Sequence, residues 1–241
     1  MLEFVVCGEC PTDLNGENSP LKRAADSLLE RWYSEKSKMH FISRSDLSDS
    51  SKNARPKRGA VVRGKKSFSP EFRSVFAFSK CLAQKAKNMG KNCGAIYFKD
   101  MDFSSSVNRD VYFKNLISSM HKGFDEVEFK NGVPMVPKTR SESWILCALD
   151  PDAGQKSYYE NLPGSDNSPK SGKKVLAKFL HCSVKENYDK VRAKLSAFDW
   201  SELSAPSFVF FKNRFHVVSA AMLHEKFPDG LNPENTRVPS N

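Results

Sequence analysis

Apolar positions along this chain follow two rhythms. Leu2-Glu3-Phe4-Val5-Val6-Cys7 is a short run, rich in β-branched and aromatic residues, that breaks at Gly8. This pattern predicts a buried strand. Cys93-Gly94-Ala95-Ile96-Tyr97-Phe98 predicts a second, and Met39-His40-Phe41-Ile42 a short third. Val133-Pro134-Met135-Val136 reads as a strand whose proline places it at an edge or a strand start. Phe124 to Phe129 alternates and predicts a strand running into the Asn131-Gly132 turn.

The helical rhythm appears first over Leu21 to about Trp32, with Leu21, Ala24, Ala25, Leu28, Leu29 and Trp32 on one face. Phe72 to Met89 is the most regular helix, with a stripe of Val75, Phe76, Ser79, Leu82, Ala83 and Ala86 and a stop at Gly90. Asn108, or the serines at 104–106, can cap a helix from Arg109 to about Met120. Further helices are predicted after Ser141, through Val175, Leu176, Phe179 and Leu180, and over Tyr188 to Phe198. Ser207-Phe208-Val209-Phe210-Phe211 is a buried strand or a helix start, because so short a run has no readable period.

A helix followed at once by a strand is the parallel crossover pattern. The expected fold is therefore α/β: a mostly parallel sheet with helices on both faces. A core over 1–150 would carry an insertion at about 43–70, and a mainly helical extension over 151–241 would pack on it. The tail after Phe227 reads as frayed.

Candidate chemistry sits where the strands end. Open α/β sheets place ligands at the carboxyl ends of their strands, and Glu9 follows the first strand there, as a metal ligand, an acid/base or a solvated turn residue. Asp100-Met101-Asp102 follows the Cys93 strand. Side chains two apart on an extended segment point the same way, so Asp100 and Asp102 can converge and, with Glu9, form a cluster of hard oxygens. Mg²⁺ suits such donors and takes few protein carboxylates. Lys138 and Arg140 lie in a later turn, as phosphate-neutralising cations or solvated turn residues. Glu142 stands at a helix N-terminus, where capping and dipole complementarity are its plain role. Trp144 reads as core.

Composition sharpens the choice of partner. The chain has 241 residues and a formal net charge of +10, which favours a polyanion. Residues 43–70 are rich in Ser, Lys and Arg, with Arg55, Lys57, Arg58, Arg63, Lys65 and Lys66 close together. They form a solvated insertion or an arm that reaches a phosphate backbone. Apolar residues make up 39%, enough for a core but with substantial polar loops, and no apolar run approaches a membrane span. The six cysteines are scattered. Cys7-Gly8-Glu9-Cys10 is formally C-x-x-C but lacks the second pair of a zinc site, so reduced thiols in a cytoplasmic protein are expected. There is no recognisable signal peptide, Walker phosphate loop or H-E-x-x-H helix.

Glu9-Cys10-Pro11-Thr12-Asp13 resembles the Glu-Gly-Pro-Thr-Asp turn of Toprim domains, with Cys10 where glycine is usual, and Asp100-Met101-Asp102 resembles the Toprim Asp-x-Asp. Val136 to Trp144, Leu162 to Lys170 and Ala205-Pro206-Ser207-Phe208 resemble blocks of small stand-alone Toprim-like proteins, related to the overcoming-lysogenisation-defect nucleases. The blocks run in order, and only about 43–70 falls outside them. The resemblance implies a Toprim-like (Rossmann-like) fold and a nuclease that uses Mg²⁺ or Mn²⁺. Glu9, Asp100 and Asp102 would hold the metal, Glu142 would join the site, Lys138 would stabilise the transition state, and Asp13 would give support. It further implies DNA in preference to RNA as substrate, and an antiphage role beside a separate ABC- or AAA-type ATPase. The alternative is a non-catalytic Toprim-fold adaptor. A topoisomerase or primase core is disfavoured, because the chain has no candidate tyrosine in a separate cleavage domain and no zinc module.

Overall fold

A computed structural model describes residues 1–9, 19–54, 70–101, 108–150, 152, 158–183, 187–195 and 198–225. Its centre is a four-stranded sheet ordered β2-β1-β3-β4, built from β1 (Leu2–Gly8), β2 (Ser37–Phe41), β3 (Cys93–Phe98) and β4 (Gly132–Met135). All three pairings are parallel. The helices are α1 (Pro20–Tyr33), α2 (Arg44–Ala54), α3 (Pro70–Met89), α4 (Arg109–Asp125), α5 (Ser141–Leu149), α6 (Gly172–Phe179), α7 (Asn187–Lys194) and α8 (Pro206–Leu223). This is an α/β fold of Rossmann-like type.

Strand alternation separates two cores. Phe4 and Val6 of β1, Ile96 and Phe98 of β3, and Val133 and Met135 of β4 face α1, α5, α6 and α8. Val5 and Cys7 of β1 and Ala95 and Tyr97 of β3 face the other way, against α2, α3 and α4. With both faces covered, the strands read as near-continuous apolar runs. Cys7 is fully buried, and burial pushes its thiol up to about 12. Among the described residues no helix is long and apolar enough to cross a membrane.

Local signals account for the element ends. The Ser19 side chain caps α1 by accepting from the Lys22 amide at 3.2 Å, with Pro20 in the first turn. Asn108 caps α4 through the amides of Asp110 and Val111. Gly90 ends α3 at φ +142°, a conformation L side chains rarely adopt. Gly123 lets α4 lie close on α3, since a Cβ there would meet the Phe76 carbonyl at 2.4 Å. Pro134 lies on β4, an edge strand, as its missing N–H requires.

Four expectations are corrected. Phe124 and Asp125 close α4, and 126–129 form a turn with Glu128 at φ +54°, so no strand lies there. The alternation of this stretch reflects Phe124 and Phe129 folding back onto one core. The start of the basic insertion is helical, because Leu47 anchors α2 on the sheet; residues 55–69 lie outside the described residues. On α3 the buried aromatic is Phe78 rather than Phe76. On α1 Trp32 is exposed, and Tyr33 is buried instead, donating to the His216 carbonyl at 3.2 Å. The undecided Ser207–Phe211 run begins α8, a helix buried on several sides. The helix expected over Tyr188 to Phe198 is described as α7, ending at Lys194. The tail after Phe227 lies outside the described residues.

Candidate functional site

The sheet order makes one point special. β1 connects outward to β2, and the chain then crosses back to β3 on the other side of β1 before moving outward again to β4. The carboxyl ends of β1 and β3 therefore flank a topological switch point, the crevice where doubly wound sheets bind ligands. Register pairs Gly8 with Phe98 at the end of both strands. The next residues are Glu9 and Lys99.

Those two side chains form the heart of an ion network. The alternation that sends Cys7 and Tyr97 toward α3 sends Glu9 and Lys99 the same way. The Lys99 ammonium donates to Glu9 Oε1 at 3.1 Å and Oε2 at 3.0 Å, and lies 3.2 Å from Glu71 in the first turn of α3. Tyr112 of α4 donates its hydroxyl to Glu71. Arg44, at the start of α2 just beyond β2, donates to Glu9 Oε1 at 2.8 Å and stacks 4.8 Å above the Phe78 ring. Lys99 is only 5% exposed, so its charge is compensated within the protein.

Asp100 belongs to the opposite layer. It follows Phe98 in the alternation, and its Oδ1 accepts from the Ser141 amide at 2.9 Å. That amide opens α5, so the Asp100 carboxylate caps this helix and complements its dipole. Glu142 is buried in the same turn and packs on Gly172 at the start of α6, where a Cβ would lie 3.2 Å from that of Glu142. Lys138 pairs with Asp110 at 2.6 Å, and the hydrogen bond holds the Asp110 carboxyl below its usual range. Arg140 and Lys173 share Asp166, at 2.9 and 3.2 Å. Trp144 is core as expected: fully buried, edge-on to Phe208, donating to Ser207 Oγ at 2.7 Å.

Ser207 joins three segments. It also accepts from the Lys138 amide at 3.2 Å and donates to Glu160 Oε1 at 2.5 Å. Glu160 takes the Ser207 amide at 2.9 Å as well, so it caps α8 from within the core; burial pushes its carboxyl up despite these bonds. The β4–α5 turn carrying Lys138 to Glu142 is thereby fastened to α8.

Glu9 and Asp100 thus end neighbouring strands but turn toward opposite layers. As hard oxygen donors they fit Mg²⁺ in kind, since that ion needs few protein carboxylates. Among the described residues, however, no group of three His, Cys, Asp or Glu side chains is placed to hold a metal. Cys10, Asp13 and Asp102 lie outside the described residues, as do Arg55, Lys57, Arg58, Arg63, Lys65 and Lys66.

Lys99, Arg44, Glu71 and Tyr112 were missed in the sequence. Lys99 could have been found: it is the next residue of the Cys93, Ala95, Tyr97 series, and Glu9 continues Val5 and Cys7. Glu71 and Tyr112 carry no local signal, because only packing of α3 against α4 joins them. Compared with protein-family models, curated proteins and solved structures, the chain matches none.

Proposed function

We propose that this chain is a Toprim-like nuclease dependent on Mg²⁺ or Mn²⁺, cleaving DNA phosphodiesters in preference to RNA. The observation that carries the reading is the placement of Glu9 and Asp100 at the carboxyl ends of β1 and β3, beside the switch point. To hold one cation, Glu9 and Asp100 would turn from their opposite layers toward the crevice between β1 and β3, joined by Asp102 from beyond the described residues. When bound, such an ion activates water and neutralises phosphate charge. Arg44 touches Glu9, and Lys138 and Arg140 belong to the turn that runs into Ser141, whose amide bonds Asp100. Arg44 is 40% exposed at its side chain and is shaped for bidentate phosphate contact. Lys138 and Arg140 are held in place by Asp110 and Asp166, acids that a phosphate can replace. The net charge of +10 draws a polyanion to them.

The resemblance further suggests an antiphage effector acting beside a separate ABC- or AAA-type ATPase. A second reading, a non-catalytic Toprim-fold adaptor, is favoured by one observation: Glu9 is already neutralised by Lys99 and Arg44. Incubation of the purified protein with supercoiled plasmid, linear DNA and total RNA, with Mg²⁺ or Mn²⁺, separates the two. Cleavage that Glu9→Gln and Asp100→Asn each abolish supports the nuclease. An inert wild type that still binds DNA, with and without an ATPase partner, supports the adaptor.

A further inference from the structure

We infer that Lys99 is a tethered cation guarding Glu9, so that a divalent ion enters this site only by displacing the Lys99 ammonium. The inference rests on the reading of Glu9 as a cation ligand and concerns how that ligand is made available.

Three features support it. Lys99 contacts both oxygens of Glu9, at 3.1 and 3.0 Å, leaving neither free of the ammonium. Its side chain is 7% exposed, so this is a desolvated charge held in place rather than a surface pairing with little hold. It also has an alternative anchor: Glu71 lies 3.2 Å away, with its side chain 36% exposed and fixed by Tyr112. When Glu9 turns to another cation, Lys99 keeps a carboxylate partner on α3 and need not be buried unpaired. Arg44 adds a second, more exposed competitor at 2.8 Å. A fully charge-paired Glu9 keeps the site closed to divalent ions at low concentration, and a phosphate that draws Arg44 away leaves Lys99 as the remaining guard.

Opposite shifts in two variants test the guard. Mn²⁺ binding to the full chain is measured by calorimetry and electron paramagnetic resonance, beside thermal unfolding to confirm that each variant folds. Lys99→Met removes the competitor and is expected to tighten Mn²⁺ binding about tenfold. Glu71→Gln removes the alternative anchor, leaves Lys99 only Glu9, and is expected to weaken binding about threefold. Adding Glu9→Gln to Lys99→Met should cancel the gain. A purely structural Lys99 does not produce shifts of opposite sign.

If Lys99→Met binds Mn²⁺ no more tightly than wild type while Asp100→Asn abolishes binding, the guard is wrong and the cation reading stands. If no folded variant binds Mn²⁺, both fall. Should Lys99→Met fail to unfold cooperatively, Arg44→Met and Glu71→Gln carry the test. Arg44→Met must then tighten binding and Glu71→Gln weaken it, and any other pairing overturns the guard.

Discussion

Two layers meet at the carboxyl end of the sheet and hold their carboxylates by different means. On the α3 side, Glu9 and Glu71 are held by the side-chain cations Lys99 and Arg44. On the α5 side, Asp100 accepts the first amide of a helix, and Glu160 accepts the Ser207 amide and hydroxyl. Side-chain cations sit on rotatable stems and can exchange partners. Backbone amides are fixed by the helix they open. The α3 side is therefore the adjustable half of the site and the α5 side its rigid frame.

Substitutions that attack the frame should cost most. Ser207→Ala strips a partner from the Trp144 indole, the Lys138 amide and the Glu160 carboxylate together. Orphaning the buried indole and the half-buried amide, and leaving Glu160 only the Ser207 amide, should lower stability by about 4 kcal/mol, read by denaturant unfolding. A loss below about 1 kcal/mol would mean the frame is held elsewhere.

The same layer carries an acid sensitivity of its own. His216 is fully buried in α8 against the Trp32 and Tyr33 rings, and burial, with Lys212 nearby, lowers it from 6.5 to about 4. A base whose folded value lies below its unfolded one binds fewer protons when folded. Stability should therefore fall as pH drops from about 6.5 to about 4 and level off below, by about 3 kcal/mol in all. Unfolding at pH 7 and pH 4.5 checks this, and His216→Leu should flatten that part of the profile.

On the adjustable side, Lys99→Met leaves Glu9 with Arg44 and Glu71 with Tyr112. Because those partners remain and both carboxylates are partly exposed, the loss should be about 2 kcal/mol, smaller than for a fully buried pair. A loss above that for Ser207→Ala would invert the comparison. Asp100→Asn keeps an oxygen for the Ser141 amide but loses the charge at the helix dipole. It should cost about 1 kcal/mol, and under the proposed nuclease function it should also abolish cleavage, which would separate a part in the frame from a part in chemistry.

Much of this architecture could be read along the chain, and the failures are instructive. β1, β3 and α3 are long enough to show their period, and the proline of β4 announced an edge strand. The strand expected at Phe124–Phe129 failed because its two phenylalanines return to one core around a turn. α2 was obscured because its hydrophobic anchorage centres on Leu47 amid serines and basic residues.

The α/β class, most of the apolar stripes of the main helices and the candidate acids at the strand ends were legible along the chain, because these depend on local spacing and residue type. That Glu9 faces Lys99 and that Asp100 caps α5 emerges only when the chain is folded. Those outcomes depend on the register between strands distant in the chain and on which layer each side chain enters. A shift of one residue in that register would send Lys99 to the wrong side of Glu9.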